Sequence, residues 1–230
     1  MAEKKKSIEK FVKEQIKKWE GMYSKKTGQA EERLPVITVS SEPGSGGTMV
    51  AQEIAKRLDF DYFHRDIVEG IARSAEIRST VIDSIEKERL SGIEDFIASL
   101  VRDNYLYPGI YLEHLLMVIG AIAEHGNAVI VGRGANFILP LNERFSVRII
   151  SPLEIRVQNV ARWHNVPVEK ARQRVIQRES KRRAFVRQSF NANITDPHNY
   201  DLVINTGKMK IKSAAEAVIG ALMADLSGKI

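Results

Sequence analysis

A short β-branched run, Val36, Ile37, Thr38 and Val39, leads through Ser40 into Ser41-Glu42-Pro43-Gly44-Ser45-Gly46-Gly47-Thr48. This junction constrains the fold more than any other segment. A run without polar alternation suits a strand buried on both faces, as in parallel sheets. Three glycines and a serine in four consecutive positions let backbone amides converge on one point with no Cβ in the way. Val50, Ile54 and Leu58 then recur at helical spacing. The free amides and positive dipole end of a helix start favour an anion. Gly44, Ser45, Gly46, Gly47 and Thr48 are therefore the candidate phosphate site, with Thr48 at the position whose hydroxyl would ligate magnesium. The match to G-x-x-x-x-G-K-[ST] is incomplete, because Ser41 stands at the first glycine and Gly47 at the lysine. A tight strand–helix turn with no ligand is the competing explanation.

Further strands are expected over 60–63, 128–131, 146–150 and 202–205, and residues 66–126 read as helical up to Gly126. Ser151-Pro152-Leu153-Glu154 and Ser213-Ala214-Ala215-Glu216 have the form of capping boxes that open helices. Val166 and Pro167 interrupt the first of these, and a very basic helix continues to about Arg187. Strands alternating with helices indicate an α/β fold, about five parallel strands with helices on both faces. At 230 residues the chain accommodates one such domain and an accessory segment. That segment is residues 1–34, an amphipathic helix followed by a polar linker over 24–33. Ile8, Phe11, Val12, Ile16 and Trp19 share one face of the helix and its lysines lie elsewhere. It is expected to dock on its own domain or on a second subunit, with a membrane surface or another partner as alternatives.

The absence of cysteine excludes disulfides and thiolate metal sites. No apolar run reaches the roughly eighteen residues needed to span a membrane, and the start of the chain has no signal-peptide core, so a cytoplasmic location is the default expectation. A net charge of +6 points to polyanionic partners without choosing among nucleotides, nucleic acid and anionic membrane. Two further motifs narrow the choice. Gly132-Arg133-Gly134 follows the third strand, so its arginine would approach a ligand unobstructed and grip a phosphate bidentately. Arg172, Arg174, Arg178, Lys181, Arg182, Arg183 and Arg187 crowd one helix, with Glu179 the one acid between Arg172 and Arg187. Bases this dense, expected to lack acid partners at i+4, favour a helix that closes over phosphates. The five histidines, His64, His114, His125, His164 and His198, show no metal-ligand spacing.

Together, ITVSSEPGSGGT, VIVGRGANFIL, RESKRRAFVRQSF and YDLVINTG resemble the cytidylate kinase-like family, a branch of the P-loop nucleoside monophosphate kinases, over about residues 35–225. The resemblance implies a three-layer P-loop NTPase sandwich over 35–230, with a helical monophosphate-binding insertion at 66–126 and a mobile helical lid at about 165–198. It implies an ATP-dependent phosphotransferase using Mg2+. Gly44 to Thr48 would hold ATP phosphates, Arg65, Asp66 and Arg133 would border the acceptor, and Arg178, Arg182 and Arg183 would act from the lid. True cytidylate kinases have a lysine where Gly47 stands. Two alternatives therefore stay open: a small-molecule kinase on the same fold, and a nucleotide-sensing or nucleic-acid-binding protein without turnover. The amino-terminal helix leaves a homo-oligomer open as well.

Overall fold

The computed structural model describes residues 2–24, 34–85, 87–103 and 109–227. The expected linker, beyond residue 24, lies outside them. Five parallel strands form one sheet in the order β2-β3-β1-β4-β5. They are β1 (Val36–Ser41), β2 (Asp61–Phe63), β3 (Ala128–Val131), β4 (Arg144–Ile150) and β5 (Leu202–Asn205). β1 is central, in register with β3 at Val39↔Val131 and with β4 at Val39↔Val147. The glycine turn after β1 and the Gly-Arg-Gly turn after β3 thus leave neighbouring strands at the same carboxyl edge, where open α/β sheets bind ligands.

Alternation along the strands divides the core in two. Ile37, Val39, Val129, Val147 and Ile149 meet α2 (Gly47–Leu58) and α10 (Ile211–Ser227) through Val50, Ile54, Val218 and Leu222. On the other face Val36, Phe63 and Ile130 meet the helical insertion, α3 (Arg65–Arg73), α4 (Ala75–Ile82), α5 (Lys87–Asp103) and α6 (Ile110–His125). Leu115, Leu116, Ile119 and Ile122 of α6 are almost wholly excluded from water there. No helix among the described residues is long and apolar enough to cross a membrane.

α1 (Ala2–Ser24) packs on this second face, with Ile8, Val12 and Trp19 buried in the cluster that holds Phe63 and α6. The Trp19 ring stacks on His125 at 3.6 Å. Buried Asp61, at the start of β2, accepts from Gln15, from Lys18 at 2.6 Å and from Trp19 Nε1 at 3.0 Å. Three donors offset the desolvation that a lone buried carboxylate would suffer.

Neither expected capping box forms. α8 (Leu153–His164) has Pro152 at its N-cap with no side-chain cap bond, and Ser151 Oγ is buried without a partner. Ser151 is held instead by its backbone, its N–H donating to Glu42 at 2.9 Å and its carbonyl accepting from Arg156 at 2.8 Å. Ser213 lies inside α10, which starts two residues earlier, where Ile211 packs over Gly46. The basic helix is α9 (Val168–Phe190), antiparallel in sequence order to α8 across the Val166-Pro167 break and packed on it through Val157, Val160, Ala171 and Val175.

Candidate nucleotide-phosphate site

The turn after β1 is braced from outside. Ser45 N and Oγ both donate to the Glu42 carbonyl, at 3.1 and 2.8 Å. Asn159 of α8 donates to the Gly44 carbonyl at 2.9 Å, and Thr206, just past β5, donates to the Ser45 carbonyl at 2.6 Å. These bonds fix the carbonyls of Glu42, Gly44 and Ser45. Among the described residues no backbone acceptor meets the amides of Gly44, Gly46, Gly47 or Thr48. Gly44 (φ 86°) and Gly46 (φ 80°) are left-handed, a conformation that needs glycine here. Cβ atoms at these two positions would also press on the Arg156 backbone, with its Cα at 3.0 Å, and on Ile211 Cδ1 at 2.7 Å. Gly46 is the N-cap of α2 and Thr48 the second residue of that helix. The result is an anion cradle at a helix start.

Cations surround it. Arg182 of α9 is half-buried and donates to the Ser41 carbonyl. Burial pushes its guanidinium down to about 10, and the positive charges of Arg65, Arg148, Arg178 and Arg133 push in the same direction. Four other guanidinium groups therefore share its electrostatic neighbourhood. Arg65 opens α3 and lies 3.2 Å from Asp66, whose amide is capped by His64 Nδ1. Arg133, left-handed at φ 56° between Gly132 and Gly134, pairs with Glu69 and lies over the Phe185 ring at 5.8 Å. Glu69 is also held by Arg73 at 2.8 Å. The Phe190 ring fills the space a side chain at Gly134 would need, with Cζ at 2.9 Å from its Cβ position.

Arg183 does not join this group. One position round the helix from Arg182, it donates to Glu179 at 2.6 Å and is 56% exposed. It faces a groove of about 980 Å³ between the start of α8 and α9. Glu179 also takes Arg156 at 2.9 Å, and Arg156 lies 3.3 Å from Glu42. These bonds hold the Glu179 carboxyl below the usual range, against the opposing effect of its burial. The expectation that the bases of α9 lack acid partners is thus corrected. Arg183 has Glu179 at i−4, and Arg172 has Glu154 across the hairpin. Arg172 and Arg183 are thus paired with acids, whereas Arg182 reaches the Ser41 carbonyl with the exposed Arg178 in its electrostatic neighbourhood.

Sequence reasoning missed Arg148 and Glu69 as parts of this arrangement. Arg148 is buried on β4, donates to Ser40 Oγ at 2.7 Å, and lies 5.8 Å from the Tyr200 ring. An arginine inside the apolar run Phe145-Ser146-Val147-Arg148-Ile149-Ile150 was the available signal, since a strand buried on both faces admits a charge only for a purpose. Four of the histidines have local roles: His64 caps α3, His114 meets Arg78, His125 meets Ser84 and His198 meets Asp196.

Comparison with known proteins agrees with this geometry. The model of the cytidylate kinase-like family matches residues 36–208. A cytidylate kinase of Pyrococcus horikoshii is 28% identical over 173 residues, covering 75% of this chain and 80% of its own. One from Methanocaldococcus jannaschii is 24% identical over 190 residues, covering 81% of this chain and 97% of its own. The crystal structure of an uncharacterised protein from Eubacterium ventriosum superposes with a TM-score of 0.59 at 19% identity, covering 82% of this chain and 98% of that one. With three quarters of its length matched and the cradle and Gly-Arg-Gly turn side by side on the sheet edge, the chain belongs to the cytidylate kinase-like family.

Proposed function

We propose that this protein transfers the γ-phosphoryl group of ATP to the phosphate of a nucleoside monophosphate, with cytidylate the first acceptor to test. The bond from the γ-phosphorus to the β-phosphate oxygen breaks, a bond to an acceptor phosphate oxygen forms, and ADP and a nucleoside diphosphate leave. The observation that carries this reading is the amide cradle after β1 beside Arg182, whose electrostatic neighbourhood holds four further guanidinium groups. Asp66 and Glu69 offset Arg65 and Arg133, and polyphosphate ligands would balance the remaining positive charge. Relatives named cytidylate kinase match along most of the chain, which supports this reading.

The cradle amides of Gly44, Gly46, Gly47 and Thr48 would bind the ATP phosphates, while Ser45, whose amide donates to the Glu42 carbonyl, would shape the turn. Arg133, Arg65 and Asp66 would position the acceptor from the neighbouring turn. Arg182, with Arg178 beside it, would offset the charge that builds on the transferred group. Thr48 offers a hard hydroxyl oxygen, the donor type Mg2+ takes, and phosphate oxygens and water commonly complete its shell. Bound Mg2+ would neutralise phosphate charge. Such a reaction draws on the ATP pool and fits a cytoplasmic protein.

A steady-state assay of ATP consumption against the nucleoside monophosphates, with non-nucleotide hydroxyl acceptors alongside, tests the reading. Turnover with a monophosphate and none with the hydroxyl compounds is expected. Gly47, at the place of the usual lysine, favours a second reading, a nucleotide-binding protein without turnover. Nucleotide affinity with no activity on any acceptor would establish that one instead.

A further inference from the structure

The two departures from the standard phosphate-loop pattern are Ser41 in place of glycine and Gly47 in place of lysine, six positions apart in sequence. In space they touch. A Cβ built on Gly47 would overlap Ser41 Cβ, lie 2.8 Å from Ser41 Oγ and sit 3.4 Å from Ile149 Cβ. Ser41 Cβ is the root of a side chain on the last residue of β1, paired with Ile149 of β4, so it has no rotamer that would move it aside. The space that a lysine stem would leave along is therefore filled from the strand side. Gly47 is not left-handed, since its φ is absent from the positive-φ glycines of the chain. Backbone conformation does not demand glycine there. Ser41 does.

The same residue holds the substitute cation. Arg182 reaches down from α9 to the carbonyl of Ser41, the residue whose side chain closes position 47. Arg182 is half-buried beside the cradle, and burial is the first cause of its depressed basicity. A guanidinium in such a place, with a neutral carbonyl as its hydrogen-bond partner and like charges as neighbours, is one that a phosphate anion would stabilise.

We infer that Ser41 and Gly47 are one exchange: Ser41 excludes a loop lysine and anchors Arg182, which supplies the phosphate-binding charge from the lid helix. Ser41 is then a positioning residue and Arg182 the group that touches the nucleotide phosphates. This deepens the phosphotransferase reading and rests on it for the catalytic part only. The exchange has a consequence for control. A lysine on the loop stays with the loop, whereas Arg182 travels with α9 and delivers its charge when that helix is seated.

The test uses full-length chains: wild type, Arg182→Ala, Gly47→Lys, Ser41→Gly/Gly47→Lys, and the last combined with Arg182→Ala. Thermal unfolding without ligand reads the steric part. Gly47→Lys alone should lower the midpoint or prevent folding, and Ser41→Gly/Gly47→Lys should regain it. A single variant as stable as the double, or a double variant that cannot fold, overturns the exchange. ADP affinity by calorimetry and kcat with the acceptor found in the panel read the charge. Arg182→Ala should cost about a hundredfold in kcat in the wild-type loop, and less than about tenfold where a loop lysine is present. ADP affinity should follow the same non-additive pattern. Equal losses in both backgrounds overturn the role of Arg182. If wild type turns over no acceptor, the phosphotransferase reading fails, while unfolding and ADP affinity still decide the exchange.

Discussion

Replacing Arg182 with methionine should stabilise the ligand-free protein. The substitution keeps an unbranched apolar stem and removes a half-buried charge that has Arg65, Arg148, Arg178 and Arg133 as neighbours. A cation whose pKa is pushed down to about 10 by folding weakens the fold while it is charged. The penalty is full at every pH below about 10 and fades only as pH climbs above that value toward the ordinary guanidinium range. A depression of that size corresponds to on the order of 3 kcal/mol. Loss of the bond to the Ser41 carbonyl gives back about 1 kcal/mol. The net gain is about 2 kcal/mol, which for a chain of this size raises Tm by roughly 4–8 °C. Differential scanning calorimetry at pH 7 measures it. Adding ADP or inorganic pyrophosphate should shrink or reverse the difference, because an anion stabilises wild type more than the variant. A lower Tm for Arg182→Met without ligand would refute the reasoning, since it would make the arginine a structural asset rather than a charge awaiting its partner.

Arg133→Ala should raise the acceptor KM by about 30- to 100-fold through loss of a charge-assisted bidentate contact, with the KM for ATP within about threefold; equal loss for both substrates in steady-state kinetics would remove Arg133 from the acceptor side. Arg183→Ala should keep kcat within about threefold of wild type, because its guanidinium is engaged with Glu179 on the outer face of α9; the drop of about a hundredfold expected of a main electrostatic donor would return it to the site. Asp61→Asn should cost about 1–3 kcal/mol in chemical denaturation by weakening the bonds from Lys18, Gln15 and Trp19, and ADP affinity, read by calorimetry, should not change. Gly44→Ala combines a left-handed φ of 86° with a Cβ pressed on the Arg156 backbone, so both Tm and nucleotide affinity should fall; retention of both in a folded variant would mean that the loop tolerates a shift.

β1 and β3 were legible from residues alone because they are runs rich in β-branched residues without polar alternation, the pattern of strands covered on both faces of a parallel sheet. Glycines at 44, 46, 132 and 134 marked the ligand edge for a related reason: each has a positive φ, so the chemistry of the turn is written in the residue type. The capping boxes misled because sequence spacing carries no account of competitors. Ser151 had the right neighbours in sequence, but Glu42 and Arg156 hold its backbone from 109 residues and five residues away. The charges of α9 misled in the same way. Helical spacing put Arg178 and Arg182 on one face, yet the neutralisation of Arg183 depends on Glu179, itself fixed by Arg156 of another helix. Arg148 went unread because its function is defined by Ser40 and Tyr200, distant in sequence and adjacent only after folding.

The matched segment, 36–208, stops short of both α1 and α10. Each of these helices lies on a different face of the sheet, α1 against Phe63 and α6, α10 against α2 and the central strands. During synthesis the first face has its cover from the outset. The second does not, because Ala214, Ala215, Val218 and Leu222 are wholly buried residues that are synthesised after all five strands. At about 5–20 residues per second the apolar side of β1, β3 and β4 waits on the order of ten seconds after β1 appears before its lid of helix arrives. α2 covers part of it in that interval through Val50 and Ile54. A stall or stop codon after β5 would leave a complete set of strands and a complete phosphate turn on a half-closed core, a product for chaperones and proteases.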